Sequence, residues 1–184
     1  LHLCDYNLEN ISDFNNINNH TLLVDVCLAA KYEGQSISVQ HGKHKEKYDD
    51  SAPQLCTVLA RSFADIGDII RGKDLYRRDN KKDKLENNLK RIFQEIYDNL
   101  FKKKGKEAEE RYKDESGNYY KLREDWWTAN RAKVWEAITC NAGGSQYFRA
   151  TCGLGEIPYV TRSKCHCIAG EVPTYFDYVP QFLR

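Results

Sequence analysis

The 184-residue sequence contains no methionine and opens on Leu1, and is expected to be a piece excised from a longer translation product. It carries almost no net charge, since 28 basic and 27 acidic side chains leave +1. That balance excludes a globally basic nucleic-acid binder. No run approaches the roughly 18–20 apolar residues of a membrane span, so this piece lies outside the bilayer and any anchor lies beyond it. No signal or transit segment is visible. Gly-x-Ser-x-Gly, a phosphate-binding glycine loop and a His-Glu-x-x-His helix are all missing. Carboxylates are numerous, but they fall on polar helix faces, as in Glu107-Ala108-Glu109-Glu110, and spacing alone picks out no acid–base pair. His2, His20, His41 and His44 sit in polar stretches, and His166 lies between two cysteines. The chain is expected to be no enzyme, with no catalytic residue, no metal and no cofactor.

What is present is enough to build a soluble core, with 41% hydrophobic and 30% charged residues. There are seven cysteines: Cys4, Cys27, Cys56, Cys140, Cys152, Cys165 and Cys167. This density suits a secreted or surface protein and its disulfides. An odd count fits partners beyond the ends. The rival use is a zinc site from Cys140, Cys152, Cys165, His166 and Cys167, whose spacings do not match the usual C-x(2–4)-C pairs. Asn10-Ile11-Ser12 and Asn19-His20-Thr21 are glycosylation sequons, a pattern common by chance.

Hydrophobic spacing predicts four amphipathic helices. Thr21 caps a first run from Leu22 to Tyr32, stopped by Gly34. Residues 35–50 are polar, with His41, Lys43, His44, Lys45 and Lys47, and read as an exposed loop. Ser51 and Pro53 open a second helix, whose Leu55, Val58, Leu59, Phe63, Ile66 and Ile70 make one stripe. Gly67 interrupts that stripe and Gly72 ends it. The third helix carries Leu85, Leu89, Ile92, Phe93, Ile96 and Leu100, with Gly105 beyond its end. A charged stretch from Lys106 to Glu115 and the turn Ser116-Gly117-Asn118 lead into a fourth helix, about Tyr119 to Thr139. Trp126 and Trp135 lie on its apolar stripe and are expected in the core. Trp126-Trp127 and Trp135, with Tyr119-Tyr120, could alternatively stack on sugars. Residues 141–170 suit a disulfide-tied loop, and no strand shows a period of two. The fold class is therefore mainly α, a disulfide-braced helical bundle with long irregular loops.

Charge is uneven along this bundle. From Arg71 to Lys113 fifteen basic residues face nine acidic ones, a surplus of 15 − 9 = 6. The dense groups are Arg77, Arg78, Lys81, Lys82 and Lys84, then Lys102, Lys103, Lys104 and Lys106, with Arg111 and Lys113 beyond. Such clusters attract polyanions by releasing counterions, and outside a cell the polyanion at hand is a sulfated glycan. The plainer reading is a solvated helix face.

Several segments together carry a resemblance. They are Leu3-Cys4-Asp5-Tyr6-Asn7-Leu8, Cys27-Leu28-Ala29-Ala30-Lys31-Tyr32-Glu33-Gly34 and Leu59-Ala60-Arg61-Ser62-Phe63-Ala64-Asp65-Ile66-Gly67-Asp68-Ile69. Arg123-Glu124-Asp125-Trp126-Trp127 with Asn130-Arg131 and Val134-Trp135, and Asp177-Tyr178-Val179-Pro180-Gln181-Phe182-Leu183-Arg184, complete the set. In that order, and nearly end to end, the chain resembles the alpha-class Duffy-binding-like domain of the Plasmodium falciparum erythrocyte membrane protein 1 (var) family.

The resemblance implies a partial Duffy-binding-like fold. Residues 1–20 would end an irregular first subdomain, 21–152 would form the helical-bundle second subdomain, and 153–184 would be a loop and the truncated start of the third. It implies an extracellular adhesion module of a variant surface antigen, exported to the outer face of the infected erythrocyte. Implied partners are host erythrocyte receptors in rosetting: sulfated, heparan-sulfate-like or blood-group glycans and complement receptor type one. Host antibodies are further implied partners. The alternative is a structural or antigenic display segment whose receptor contacts lie elsewhere. The resemblance also implies disulfides Cys56–Cys152 and Cys27–Cys140. Cys4 would then pair upstream, and Cys165 and Cys167 within the missing third subdomain. Phe63, Ile66, Trp126 and Trp135 are expected to pack the bundle. Asp65 and Asp68 are expected to pair with Arg123 and Arg131 between helices. The cationic groups Arg77–Lys84 and Lys102–Lys113 are the first candidates for an anionic glycan.

Overall fold

A computed structural model describes residues 8, 10–11, 17–48, 54–74, 80–147, 149–153, 157–161 and 163–184, without the side chains of 47–48 and 80–83. Five helices dominate: α1 (Asn19–Tyr48), α2 (Leu55–Arg71), α3 (Asn80–Lys104), α4 (Lys106–Tyr112) and α5 (Tyr120–Ile138). Two 3-10 turns follow, at Phe176–Tyr178 and Gln181–Leu183. Among the described residues the only extended pairing is one antiparallel bridge between Cys152 and Tyr159.

Helix α1 begins where Asn18, not Thr21, caps it. The Asn18 carboxamide oxygen accepts the backbone N–H groups of His20 (2.8 Å) and Thr21 (3.1 Å), satisfying donors that a helix start leaves open. The helix then runs through Gly34, where a stop was expected, and takes in 35–48, expected to be loop. Gly34 is buried because α1 presses on the end of α5, and a Cβ there would collide with the Ile138 carbonyl. Its glycine thus serves close approach rather than termination. The 35–48 segment has no proline to break the helix. Its Ser38 hydroxyl donates back to the Gly34 carbonyl at 2.8 Å.

Helix α2 buries Leu59, Phe63, Ile66 and Ile70 as its stripe predicts, and Gly72 ends it in the left-handed conformation (φ 72°). Gly67 stays inside the helix because the Trp127 ring fills its Cβ position, with the nearest ring atom 2.8 Å from where that carbon would be. Phe63 stands at the crossing of α2 and α5, 5.1 Å from Trp127 and 5.2 Å from Trp135 between ring centroids. Phe93 of α3 meets Trp126 edge-on at 6.2 Å. Trp126, Trp127 and Trp135 are all buried, so the packing role expected for Trp126 and Trp135 holds. Part of the charged stretch after Gly105 is helical as α4.

The disulfides differ from those the resemblance implied. Cys56 bonds Cys165, and Cys152 bonds Cys167. Residues Lys164 and Cys165 take left-handed φ values of 53° and 57°. Cys165 is held against the bundle by the Ser145 carbonyl, which accepts its N–H, and by the Trp135 indole, which donates to its carbonyl at 3.1 Å. That fold-back brings Cys165 to the first turn of α2, while the Cys152–Tyr159 bridge leaves Cys152 beside Cys167. Cys27 and Cys140 are thiols. Helices α1 and α5 run in the same direction: Asn18–His20 lie beside Leu122–Asn130, Cys27 feels Lys133 and Glu136, and Gly34 meets Ile138. The Cys27–Cys140 bridge that the resemblance implied is not formed, since both residues are thiols. Burial pushes the Cys27 thiol up, which makes it a poor nucleophile. Cys4 lies outside the described residues.

Candidate binding surface

The surface rests on a buried polar frame that joins the C-terminal turns to the helices. Asp177, 1% exposed, accepts the Trp127 indole N–H at 2.8 Å and two Arg131 N–H groups at 2.8 Å each. Arg131 also donates to the Thr174 carbonyl. Arg71, 1% exposed, donates to Asp68 (3.1 Å), Glu124 (3.2 Å), the Gly67 carbonyl and the Asp177 carbonyl. Arg123, fully buried, reaches Glu86 through two nitrogens at 2.8 and 2.9 Å and the carbonyls of Ile69 and Ile70. Arg184 pairs with Asp65 at 2.9 Å and with Asp68. The expected pairing of Asp65 and Asp68 with Arg123 and Arg131 is therefore corrected. Arg123 serves α3, Arg131 serves the 3-10 turn, and the two α2 carboxylates take Arg184 and, for Asp68, Arg71.

Burial sets the tone of these carboxylates. It pushes the Asp65 carboxyl up against the pull of Arg184, and that of Asp68 up against Arg184 and Arg71. Burial also acts on Glu124 and Asp125, but there the cations win. Lys73 and Arg71 hold Glu124 below its usual range; Arg111, Tyr112 and Lys121 hold Asp125 below its own. No arrangement of nucleophile, base and oxyanion donors emerges from this frame. Every arginine in it has a carboxylate or carbonyl to satisfy.

Outside the frame lies the cationic face. Lys102, Lys103 and Lys104 form the last turn of α3, a favourable place for cations against the helix dipole, and Lys106 opens α4. All four are exposed. Lys104 approaches Glu107 at 3.8 Å and Lys113 approaches Glu109 at 3.5 Å, both in solvent. Arg111 is tied more firmly, with two N–H groups on Asp125 at 2.7 and 3.1 Å. Among the described residues Lys102, Lys103 and Lys106 form no ion pair. Lys84 is exposed on α3. Arg77 and Arg78 lie outside the described residues, as do the side chains of Lys81 and Lys82. So the structure joins Lys102–Lys106 into one ridge, while Arg111 is drawn toward α5.

Beside that ridge is a cavity of about 480 Å³ that the sequence did not signal. It opens between the start of α1, the second half of α3, Tyr112 and the first half of α5. The α1 wall lies more than 70 residues before the others in sequence, so no local pattern could announce the cavity. Trp126 forms part of the wall and is 5% exposed, and its buried indole N–H has no hydrogen-bond partner among the described residues. A buried donor left unpaired costs about 1–3 kcal/mol.

Comparison with known proteins decides the family. The model of the Duffy binding domain matches residues 1–184, the whole chain. The chain belongs to the Duffy binding domain family. Among solved structures, the NTS-DBL1(alpha-1) domain of Plasmodium falciparum membrane protein 1 from the varO strain is 44% identical, with a TM-score of 0.81. That match covers 99% of this chain and 40% of the other. The varO double domain of DBL1-alpha and CIDR-gamma is 41% identical at a TM-score of 0.79, over 99% and 25% of the two chains. The ICAM-1-binding PfEMP1 IT4var13 DBLbeta domain is 35% identical at a TM-score of 0.69, over 100% and 39%. A search of curated proteins finds no match. The alpha-class resemblance and the disulfide-braced helical fold are thus shown. This Duffy binding domain chain spans less than half of the solved chains it matches.

Proposed function

We propose that this chain is part of an extracellular adhesion module of a variant surface antigen on infected erythrocytes. It contacts host red-cell receptors through the ridge Lys102–Lys103–Lys104–Lys106. The observation that carries this reading is the pairing of two facts: membership in a family with a solved ICAM-1-binding member, and a ridge whose Lys102, Lys103 and Lys106 form no ion pair among the described residues. Unpaired ammonium groups on one helix end favour an anionic partner over a neutral one. Sulfated glycans therefore rank ahead of blood-group sugars and complement receptor type one as the rosetting ligand. The remaining candidates Lys84, Arg111 and Lys113, with Arg77, Arg78, Lys81 and Lys82, would extend the ridge. The division at residues 20 and 152 is retained as part of this proposal.

The test is binding of the complete domain that contains this chain to uninfected red cells, before and after removal of cell-surface sulfated glycans by heparinase. Loss of binding on treatment supports the reading. Unchanged binding rejects the sulfated class. A second reading is favoured by length: the chain covers only 40% of the DBL1-alpha structure. In that reading this segment supports and displays variable surface to host antibodies, while receptor contacts lie in the rest of the domain. Full red-cell binding by a domain with its ridge charges reversed would establish it.

A further inference from the structure

We infer that the outer face of α1 is an interface, and that its occupant is a helix of the same domain lying outside residues 1–184, apolar along its inner stripe and carboxylate-bearing at its edges. Helix α1 is apolar on two opposite faces. Leu22, Val26, Ala29 and Ala30 are buried in the bundle, whereas Val24, Leu28, Tyr32 and Val39 are between 37% and 59% exposed. At 100° and 1.5 Å per residue those four fall within about 80° of arc and run for about 22 Å along the helix. Apolar residues scattered singly over a surface are ordinary, but a line of them on one helix face marks a contact. The line has the form of a ridge against which a second helix packs. Gly42 prolongs it, and a Cβ there would meet nothing, so a neighbouring backbone can come close.

Charge and length choose the occupant. Lys31 and Lys43 stand on opposite edges of the line, each about 20° outside it. Both are exposed and form no ion pair among the described residues. The acidic residues near them on α1 are Asp25, which is half-buried, and Glu46, which lies two turns beyond Val39. A partner with carboxylates along both edges complements this face. A second copy does not, because in an antiparallel pair the two Lys31 ammonium groups meet across the dyad. A membrane surface fits poorly too: the line holds four apolar side chains, with Tyr32 its one aromatic. The rest of the domain remains. The match to the NTS-DBL1(alpha-1) structure covers 40% of that chain, so most of such a domain lies outside residues 1–184. This interface is independent of the cationic ridge, which belongs to α3 and α4.

The experiment is hydroxyl-radical footprinting of the complete domain that contains this chain, read by mass spectrometry at Tyr32. A synthetic peptide of residues 24–39 gives the reactivity of an uncovered side chain. In the domain Tyr32 should react at least about tenfold more slowly than in the peptide, at a rate independent of protein concentration. Carbodiimide should join Lys31 or Lys43 to an acidic residue outside 1–184 in the same molecule. K31E/K43E reverses both edges and should raise the reactivity of Tyr32 several-fold. K45E, about 60° off the line, should leave it unchanged. Should K31E/K43E fail to fold, the wild-type footprint and cross-link still decide. Tyr32 reacting within about threefold of the peptide overturns the interface, since a 54% exposed ring differs little from a free one. Protection that grows with concentration, or a cross-link to a second molecule, gives the face to another copy and overturns the occupant inferred here.

Discussion

Trp127 donates its indole N–H to the carboxylate of Asp177 across 2.8 Å, although fifty residues separate them in sequence. This bond closes the C-terminal turn onto the bundle. It brings the Trp126-Trp127 segment of α5 and the Asp177-Tyr178 segment of the C-terminal turn together. Removing the carboxylate leaves Arg131 beside a buried, unpaired partner site. D177A is therefore expected to lose about 3–5 kcal/mol, the usual cost of breaking a buried ion pair from one side. D177N should lose less, because the amide oxygen still accepts from Trp127. Urea unfolding measures both, and equal losses would contradict a contribution from the Trp127 hydrogen bond.

Glycines 34 and 42 lie on the same helix in opposite circumstances. A Cβ at Gly34 meets the Ile138 backbone, whereas at Gly42 it meets nothing. G34A is expected to destabilise by about 1–3 kcal/mol through overpacking. G42A should stabilise by up to about 1 kcal/mol through helix propensity. Thermal melting of the two variants reads both signs. A stabilised G34A would mean that α1 does not press on the end of α5.

The contrast also shows what the sequence could and could not tell. Apolar spacing located α2, α3 and α5 because each buries one continuous stripe, and Phe63 and Trp135 were placed in the core for the same reason. It failed at Gly34, since a glycine that ends a helix and one that admits a neighbouring backbone look alike along the chain. The polarity of residues 35–50 predicts a loop, and it hides a helix as far as Tyr48 that has solvent on most sides. The cationic ridge was legible as a run of lysines. The cavity beside it was not, because the start of α1, far away in sequence, closes it against α3 and α5. The partners of Asp65, Asp68, Arg123 and Arg131 differ from expectation for a related reason: composition supplies opposite charges, and only packing chooses among them.

Disulfide connectivity is directly measurable. Non-reducing peptide mapping should recover Cys56–Cys165 and Cys152–Cys167, with Cys27 and Cys140 alkylated as thiols. The Cys56–Cys165 bond closes a separation of 109 residues, and the C56S/C165S variant is expected to lose on the order of 4–5 kcal/mol by the chain-entropy estimate. Recovery of Cys27 joined to Cys140 would contradict the two free thiols.

Acid stability should carry the mark of Glu124. Lys73 and Arg71 hold its carboxyl below the ordinary value of 4.5 despite burial. The unfolded chain therefore takes up its proton first, and the stabilisation is complete above pH 4.5 and fades as pH falls through the lowered folded value. The stability difference between wild type and E124Q is expected to shrink over that acid window, in chemical unfolding at stepped pH. A difference that stays constant would contradict the pairing.

The most direct measurement of the central claim is retention of the complete domain on immobilised heparin as salt is raised, for wild type and for the K102E/K103E/K106E variant. Retention of wild type should fall steeply with log salt, as expected for an exposed cationic ridge. The variant, with an unchanged melting temperature, should not be retained at physiological salt. Equal retention of the two proteins would contradict the assignment of adhesion to this ridge.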